Sequence, residues 1–231
     1  MFWKVLKKYI DELIEKDIKD VVIDVDNTIT KSNVLDLLFF IKANSLHTIL
    51  YYLWVSLFFI LKGPLYGILD FVNRDWFQKA FYGNYSNYPL KELEDYSKEL
   101  FARKLQSKFI TEIHDLIFYL KRKNMKVHLL STSIEPVVKQ YGDYFGVPFT
   151  SLRVIEQGDG SRVDLASIKD FKLNYIKTYN PHTTIAIADS KHDFNMLNYV
   201  DHPIVVSSKE KRWMKKLQNK PFLFIVTISN K

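Results

Sequence analysis

Two carboxylates separated by one residue, Asp24 and Asp26, end the apolar run Val21, Val22, Ile23, and Thr28 follows two places later. Like charges that close repel, and removing an unpaired carboxylate from water is costly. Such a pair is tolerable where a cation shares it. A second acidic pair, Asp189 and Asp193, ends another apolar run, and its spacing is about one helical turn, so both acids can face one point. The candidate metal ligands are therefore Asp24, Asp26, Asp189 and Asp193. Oxygen donors of this kind suit Mg2+, which is usually held by one or two carboxylates together with a substrate phosphate. His128, His182 and His192 show no shared metal spacing and read as ordinary residues.

The elements that must position these acids are legible in the hydrophobic pattern. Four short runs read as buried parallel strands: VVID from 21, KVHLLS from 126, TTIAIAD from 183 and HPIVVS from 202. Helical patterns separate them over 135–144, about 170–179 and 191–199. Strands alternating with helices predict an α/β fold, a three-layer Rossmann-like parallel sheet covered on both faces. Ligands of such sheets sit outside the carboxyl ends of the strands. Asp24, Ser131 and Asp189 lie at those ends. PFLFIVTIS, from 221, reads as a further strand, and Gly158, Asp159 and Gly160 predict a hairpin between two extended runs.

Residues 31–125 break the alternation with successive helical patterns, punctuated by KGP at 62–64 and YGNYSNYP at 82–89. The expected division is a core of 1–33 and 121–231 with a helical cap, 34–120, standing over the acids as a lid. Within it, residues 43–61 contain no Lys, Arg, Asp or Glu. Three readings fit this stretch: buried lid core, membrane-surface or lipid contact, and a membrane span. Lys42, Lys62, Tyr51, Tyr52 and Trp54 are compatible with an interfacial position. Residues 1–17 form an amphipathic pattern with Lys4, Lys7 and Lys8, which either packs on its own domain or lies on a membrane.

The bulk composition narrows the classes. With 47% hydrophobic and 15% aromatic residues in 231, a large core is feasible and general disorder is disfavoured. The absence of cysteine removes disulfides, thiolate metal sites and thiol nucleophiles. No signal peptide is evident, so the expected location is cytoplasmic, with peripheral contact to the inner face of the membrane through 1–17 and 43–61. The net charge of +7 suits an anionic partner. Nucleic acid is disfavoured, because no recognition motif is visible and basic residues do not interleave with aromatics.

Taken together, the chain resembles the haloacid dehalogenase superfamily of phosphotransferases over about residues 20–206. The first family motif matches Asp24, Asp26 and Thr28; the second matches Ser131 in VHLLSTS, beside Thr132. Lys172, with Lys169 as competitor, fits the third, and Asp189 and Asp193 fit the fourth. FYGNYS, LLSTSIEPVV and DSKHDFNML are similar to the helical-cap, phosphoserine-phosphatase-like subgroup, which includes lipid head-group phosphatases such as those acting on phosphatidylglycerophosphate. Asn27 and Ala188 depart from the family by standing where glycine is usual.

The resemblance implies a Mg2+-dependent phosphomonoester hydrolase acting through an aspartyl phosphate, on a phosphorylated small molecule or a lipid head group. It implies Asp24 as nucleophile and Asp26 as general acid and base. The Asp24 side chain, the Asp26 carbonyl, Asp189 and Asp193 would hold the metal. Ser131, Thr132 and Lys172 would bind the phosphoryl group. The alternatives are a membrane-associated scaffold or regulator keeping a phosphatase-like site, and a phosphomutase or phosphotransferase. Phosphoserine itself is disfavoured, because no acid and arginine that would grip an amino acid's charged ends is evident in the lid.

Overall fold

The computed structural model describes residues 2–225. Its strands are β1 (Asp20–Ile23), β2 (Lys126–Ile134), β3 (Phe149–Leu152), β4 (Val154–Gln157), β5 (Gly160–Val163), β6 (Thr184–Ala188), β7 (His202–Ser207) and β8 (Phe222–Ile225). Six of them form one sheet in the order β3–β2–β1–β6–β7–β8, and every pairing is parallel. β4 and β5 form a separate antiparallel hairpin, with Gly158 in the left-handed conformation its turn requires. The part of the last expected strand beyond Ile225 lies outside the described residues.

The sheet is buried on both faces because its strands are apolar in both directions. Val21, Ile23, Leu129, Ile185, Ile187 and Ile204 point into one core. Val22, Leu130, Ala186, Ala188 and Val205 point into the other. The first layer of helices comprises α1 (Phe2–Glu15), α7 (Thr111–Arg122) and α8 (Glu135–Phe145). The second comprises α9 (Phe171–Ile176) and α10 (Phe194–Tyr199). This is the α/β, three-layer Rossmann-like architecture expected. The helix read near 170–179 is shorter than its pattern; past Ile176 the Thr178 hydroxyl donates back to the Tyr175 carbonyl at 2.8 Å in a closing turn.

The amphipathic start is spent internally. Leu6, Ile10 and Leu13 are buried, Tyr9 stacks on Phe222 at 4.5 Å, and Tyr119 donates to Asp11 at 2.5 Å. The exposed side of α1 carries Lys4 and Lys8 together with Val5.

Between β1 and β2 run α2 (Leu35–Ser45), α3 (Thr48–Leu57), α4 (Gly63–Val72), α5 (Arg74–Tyr82) and α6 (Leu90–Leu100). α7 then packs against β2, so residues 111–120 sit with the sheet rather than with this helical excursion. Two expectations about the excursion need correction. The KGP stretch does not break the helix: α3 and α4 join through a π turn, Phe58–Lys62, into one helical run over Thr48–Val72. The Gly63 amide donates to the Phe58 carbonyl five residues back, and this wider turn accommodates Pro64 directly after it. Nor is the run buried lid core. Of its apolar side chains only Phe58 and Tyr66 are buried, while Ile49, Leu53, Ile60, Leu61, Ile68 and Phe71 face solvent.

Candidate active site

β1 sits at the point where strand order reverses, with β2 on one side and β6 on the other. Its carboxyl end is thus the crevice where a parallel α/β sheet binds ligands. Asp24 follows β1 directly, and its amide donates to the Ile187 carbonyl of β6 at 2.9 Å. The Thr28 hydroxyl donates to Asp24 Oδ2 at 2.8 Å, fixing the carboxylate from behind. The chain turns between them through Asn27, which adopts φ 57°. That left-handed position is where glycine is most comfortable, and Asn is among the residues that tolerate it best.

Asp189 leaves the end of β6, and Asp193 sits one short turn later, held by the Ser190 hydroxyl at 2.9 Å. One oxygen each from Asp24, Asp189 and Asp193 lies within 4.8 Å of the others. Lys172, on α9, reaches into this group, 2.5 Å from Asp24 Oδ1 and hydrogen-bonded to Asp193. Lys169 is exposed and does not take part.

Charge in this cluster is unbalanced. Asp24 and Asp193 are each only 3% exposed. Burial pushes the Asp24 carboxyl up to about 8; Lys172 pulls it back, while Asp193 and Asp189 add to the rise. Burial likewise lifts Asp189 to about 6, with Asp193 adding to the rise. Burial alone would lower the Lys172 ammonium, but Asp193 and Asp24 outweigh it and hold it above its ordinary range. Three carboxylates thus share one ammonium, and the donor set is all oxygen. These residues fit a hard divalent cation, which would supply the missing positive charge.

Asp26 stands apart from that group and is gripped by hydroxyls. Ser32 donates to Oδ1 at 2.9 Å, while Ser133 donates to Oδ2 at 2.5 Å and Ser131 at 3.4 Å. Ser131 does not end its strand, as the pattern suggested: β2 continues to Ile134, with its pairing to β3 shifting register between Leu130 and Ile134. This extension turns Ser131 and Ser133 toward the same side, since alternate residues of an extended chain share a face. The Ser133 amide in turn donates to Ser131 Oγ at 3.0 Å.

A cavity of about 450 Å³ opens above these groups, lined by Asp24, Asp26, Ser131, Lys172, Asp189 and Asp193. Thr132 also lines it, but its polar groups serve the lid: Gln78 donates to its hydroxyl at 2.8 Å and Tyr82 to its carbonyl at 2.6 Å. α5 therefore clasps the end of β2 directly. Arg74 and Asp75 of the same helix line the cavity as well, so the lid does present an arginine and an acid to the site. Arg74 is paired with Asp70 at 2.6 Å. The sequence pattern assigns no site role to Ser32, Ser133, Gln78, Tyr82 or Arg74, although Tyr82 and Ser133 fall within FYGNYS and LLSTSIEPVV. Only Ser133 carried a sequence signal, its two-residue offset from Ser131.

The fold and this cluster define a parallel α/β core whose acids meet at the strand switch point under a helical lid. The chain belongs to the haloacid dehalogenase-like hydrolase family, whose model matches residues 21–198. Solved structures share its fold at low identity. A protein of unknown function from Bordetella pertussis Tohama I superposes with a TM-score of 0.62 at 12% identity, over 81% of this chain and 89% of that one. A phosphoserine phosphatase solved as a phospho-aspartyl intermediate analogue gives 0.54 at 16%, over 90% and 92%. Cytosolic 5'-nucleotidase IIIB bound to cytidine gives 0.59 at 15%, over 96% and 86%. No curated protein matches the sequence.

Proposed function

We propose that this protein is a magnesium-dependent phosphomonoester hydrolase, acting on a small or lipid-linked phosphate. The observation that carries the reading is the cluster of Asp24, Asp189 and Asp193 around Lys172, with Asp26 two residues beyond the nucleophile position. Asp24, Asp189 and Asp193 would hold the metal, which when bound neutralises charge on the phosphoryl oxygens.

In this reading Asp24 attacks phosphorus through a carboxylate oxygen. The new bond is Asp24 O–P, and the bond that breaks joins phosphorus to the substrate's ester oxygen. Asp26 gives its proton to the departing alkoxide. It then takes a proton from water, whose oxygen attacks the aspartyl phosphate and releases inorganic phosphate, restoring both acids. Lys172 and Ser131 border the position of the phosphoryl group, where an ammonium and a hydroxyl stabilise charge on its equatorial oxygens. Ser32 and Ser133 hold Asp26 in place between the two proton transfers.

The test is phosphate release from p-nitrophenyl phosphate and from a panel of glycerophosphate and lysophosphatidic acid substrates, in magnesium and in chelator. The wild type turns over with magnesium only, and Asp24→Asn abolishes release. Equal turnover by the two proteins, or by the wild type in chelator, contradicts the proposal.

A further inference from the structure

The helical run Thr48–Val72 carries most of the exposed large hydrophobic side chains of the described residues. It is 25 residues long with a mean hydropathy of 1.6 in its most apolar window, and its fixed charges are Lys62 and Asp70. Phe71 is 86% exposed, Ile49 72% and Leu61 68%. Contiguous apolar surface on this scale marks an interaction site.

We infer that the outer side of this run seats in the head-group region of an anionic bilayer, lying in the plane of the surface. The opposite side is already committed to the lid. Phe58 and Tyr66 are buried, Phe39 packs on Trp54 at 5.4 Å and Phe58 at 5.3 Å, and Tyr66 meets Phe77 at 5.8 Å. A helix gripped along one side cannot stand across a membrane without carrying the lid into the hydrocarbon. It can embed its free side. The hydroxyl of exposed Ser56 is satisfied by the Tyr52 carbonyl at 2.9 Å, so it brings no unpaired donor into lipid.

Charge points to an anionic surface. Lys62 projects from the middle of the run and donates to the neutral Asn84 amide oxygen at 2.7 Å, leaving its charge for an outside anion. Asp70, the acid within the run, is paired with Arg74. A second copy is a weaker occupant. Symmetric pairing about the midpoint of the run would bring Lys62 against its own counterpart. The run also leads straight into Arg74, Asp75 and Gln78, which line the cavity, so seating it in a bilayer brings the cavity mouth to the lipid head groups.

The test is flotation of the full chain with vesicles, which reads no catalysis and so fails independently of the hydrolase reading. Vesicles of phosphatidylcholine alone are compared with vesicles containing phosphatidylglycerol. The wild type floats with the anionic vesicles, at least tenfold less with the neutral ones, and is released by carbonate. A Leu61→Asp, Ile68→Asp, Phe71→Asp triple variant loses at least tenfold of that binding. It keeps the wild-type circular dichroism spectrum and melting temperature, since all three side chains are exposed. Lys62→Glu narrows the difference between the two vesicle types. Absence of flotation, equal flotation of the triple variant, resistance to carbonate extraction, or a dimer that the triple variant dissolves without any vesicle binding would each overturn the inference.

Discussion

The Ser133 hydroxyl stands 2.5 Å from Asp26 Oδ2 and donates to it. With Ser32 on the other oxygen, the proposed acid–base is held from both sides by neutral donors. A hydrogen bond to a charged group is worth roughly 1.5–3 kcal/mol. Ser133→Ala should therefore lower kcat roughly tenfold to a hundredfold with little change in KM, and Ser133→Thr, which keeps the hydroxyl, should recover most of it. Steady-state kinetics on p-nitrophenyl phosphate reads both. A Ser133→Ala enzyme at wild-type kcat would remove the residue from the reaction.

Lys172 is the ammonium hydrogen-bonded to Asp24 and Asp193 within the acidic cluster, and its side chain is only 13% exposed. Replacing it with Met keeps the volume and leaves the acids unpaired. Loss of one partner from a buried ion pair costs about 3–5 kcal/mol. Lys172→Met should lose stability of that order in urea denaturation, and added magnesium should restore part of it. Unchanged stability in the absence of metal would show that the lysine does not balance the cluster.

How much of this was legible in the sequence divides by range. Asp24 and Asp189 announced themselves because each ends a β-branched run, and strand-end acids in an alternating α/β pattern converge on one crevice. The sheet was legible for the same reason. Ser133 was missed because the strand was read as ending at Ser131, although an extended chain repeats its face every second residue. Gln78 and Tyr82 meet Thr132 across 54 and 50 residues of chain, and no local pattern encodes those contacts. The helical run over 48–72 was cut short by reading Gly63 and Pro64 as a break. A π turn absorbs the proline there, so length, and with it exposure, was underestimated.

Gly160 shows how the hairpin meets the lid. A Cβ at this position would lie 2.0 Å from the Ser86 carbonyl oxygen, and the next residue, Ser161, donates its amide to that same oxygen at 3.2 Å. Backbone cannot yield as a side-chain tip can. Gly160→Ala should cost about 1–3 kcal/mol, the range for overpacking, and should raise protease sensitivity around residues 83–89. A melting temperature equal to wild type would mean that hairpin and lid do not press together in solution.

His128 sets a pH dependence away from the site. Its ring stacks on Tyr175 at 4.9 Å, and Nε2 lies 2.8 Å from the Tyr175 hydroxyl and 2.9 Å from the Thr150 hydroxyl. Burial pushes the imidazole from 6.5 down to about 4. The unfolded chain therefore takes up this proton first as pH falls. Its contribution to stability is intact above pH 6.5 and is lost progressively toward pH 4, by at most about 3 kcal/mol. Urea denaturation between pH 7 and pH 4, compared with His128→Gln, should show a shallower decline in the variant. Equal slopes would mean that His128 titrates normally in the folded protein.

The proposed hydrolysis turns on a carboxylate oxygen of Asp24 taking phosphorus. Acid quenching of the wild-type enzyme during turnover, followed by digestion and mass spectrometry, tests it most directly. The expected product is a phosphoryl group on the peptide that carries Asp24, sensitive to hydroxylamine and missing in Asp24→Asn. Steady hydrolysis with no phosphorylated peptide at any quench time, or with the phosphoryl group on a different residue, would contradict it.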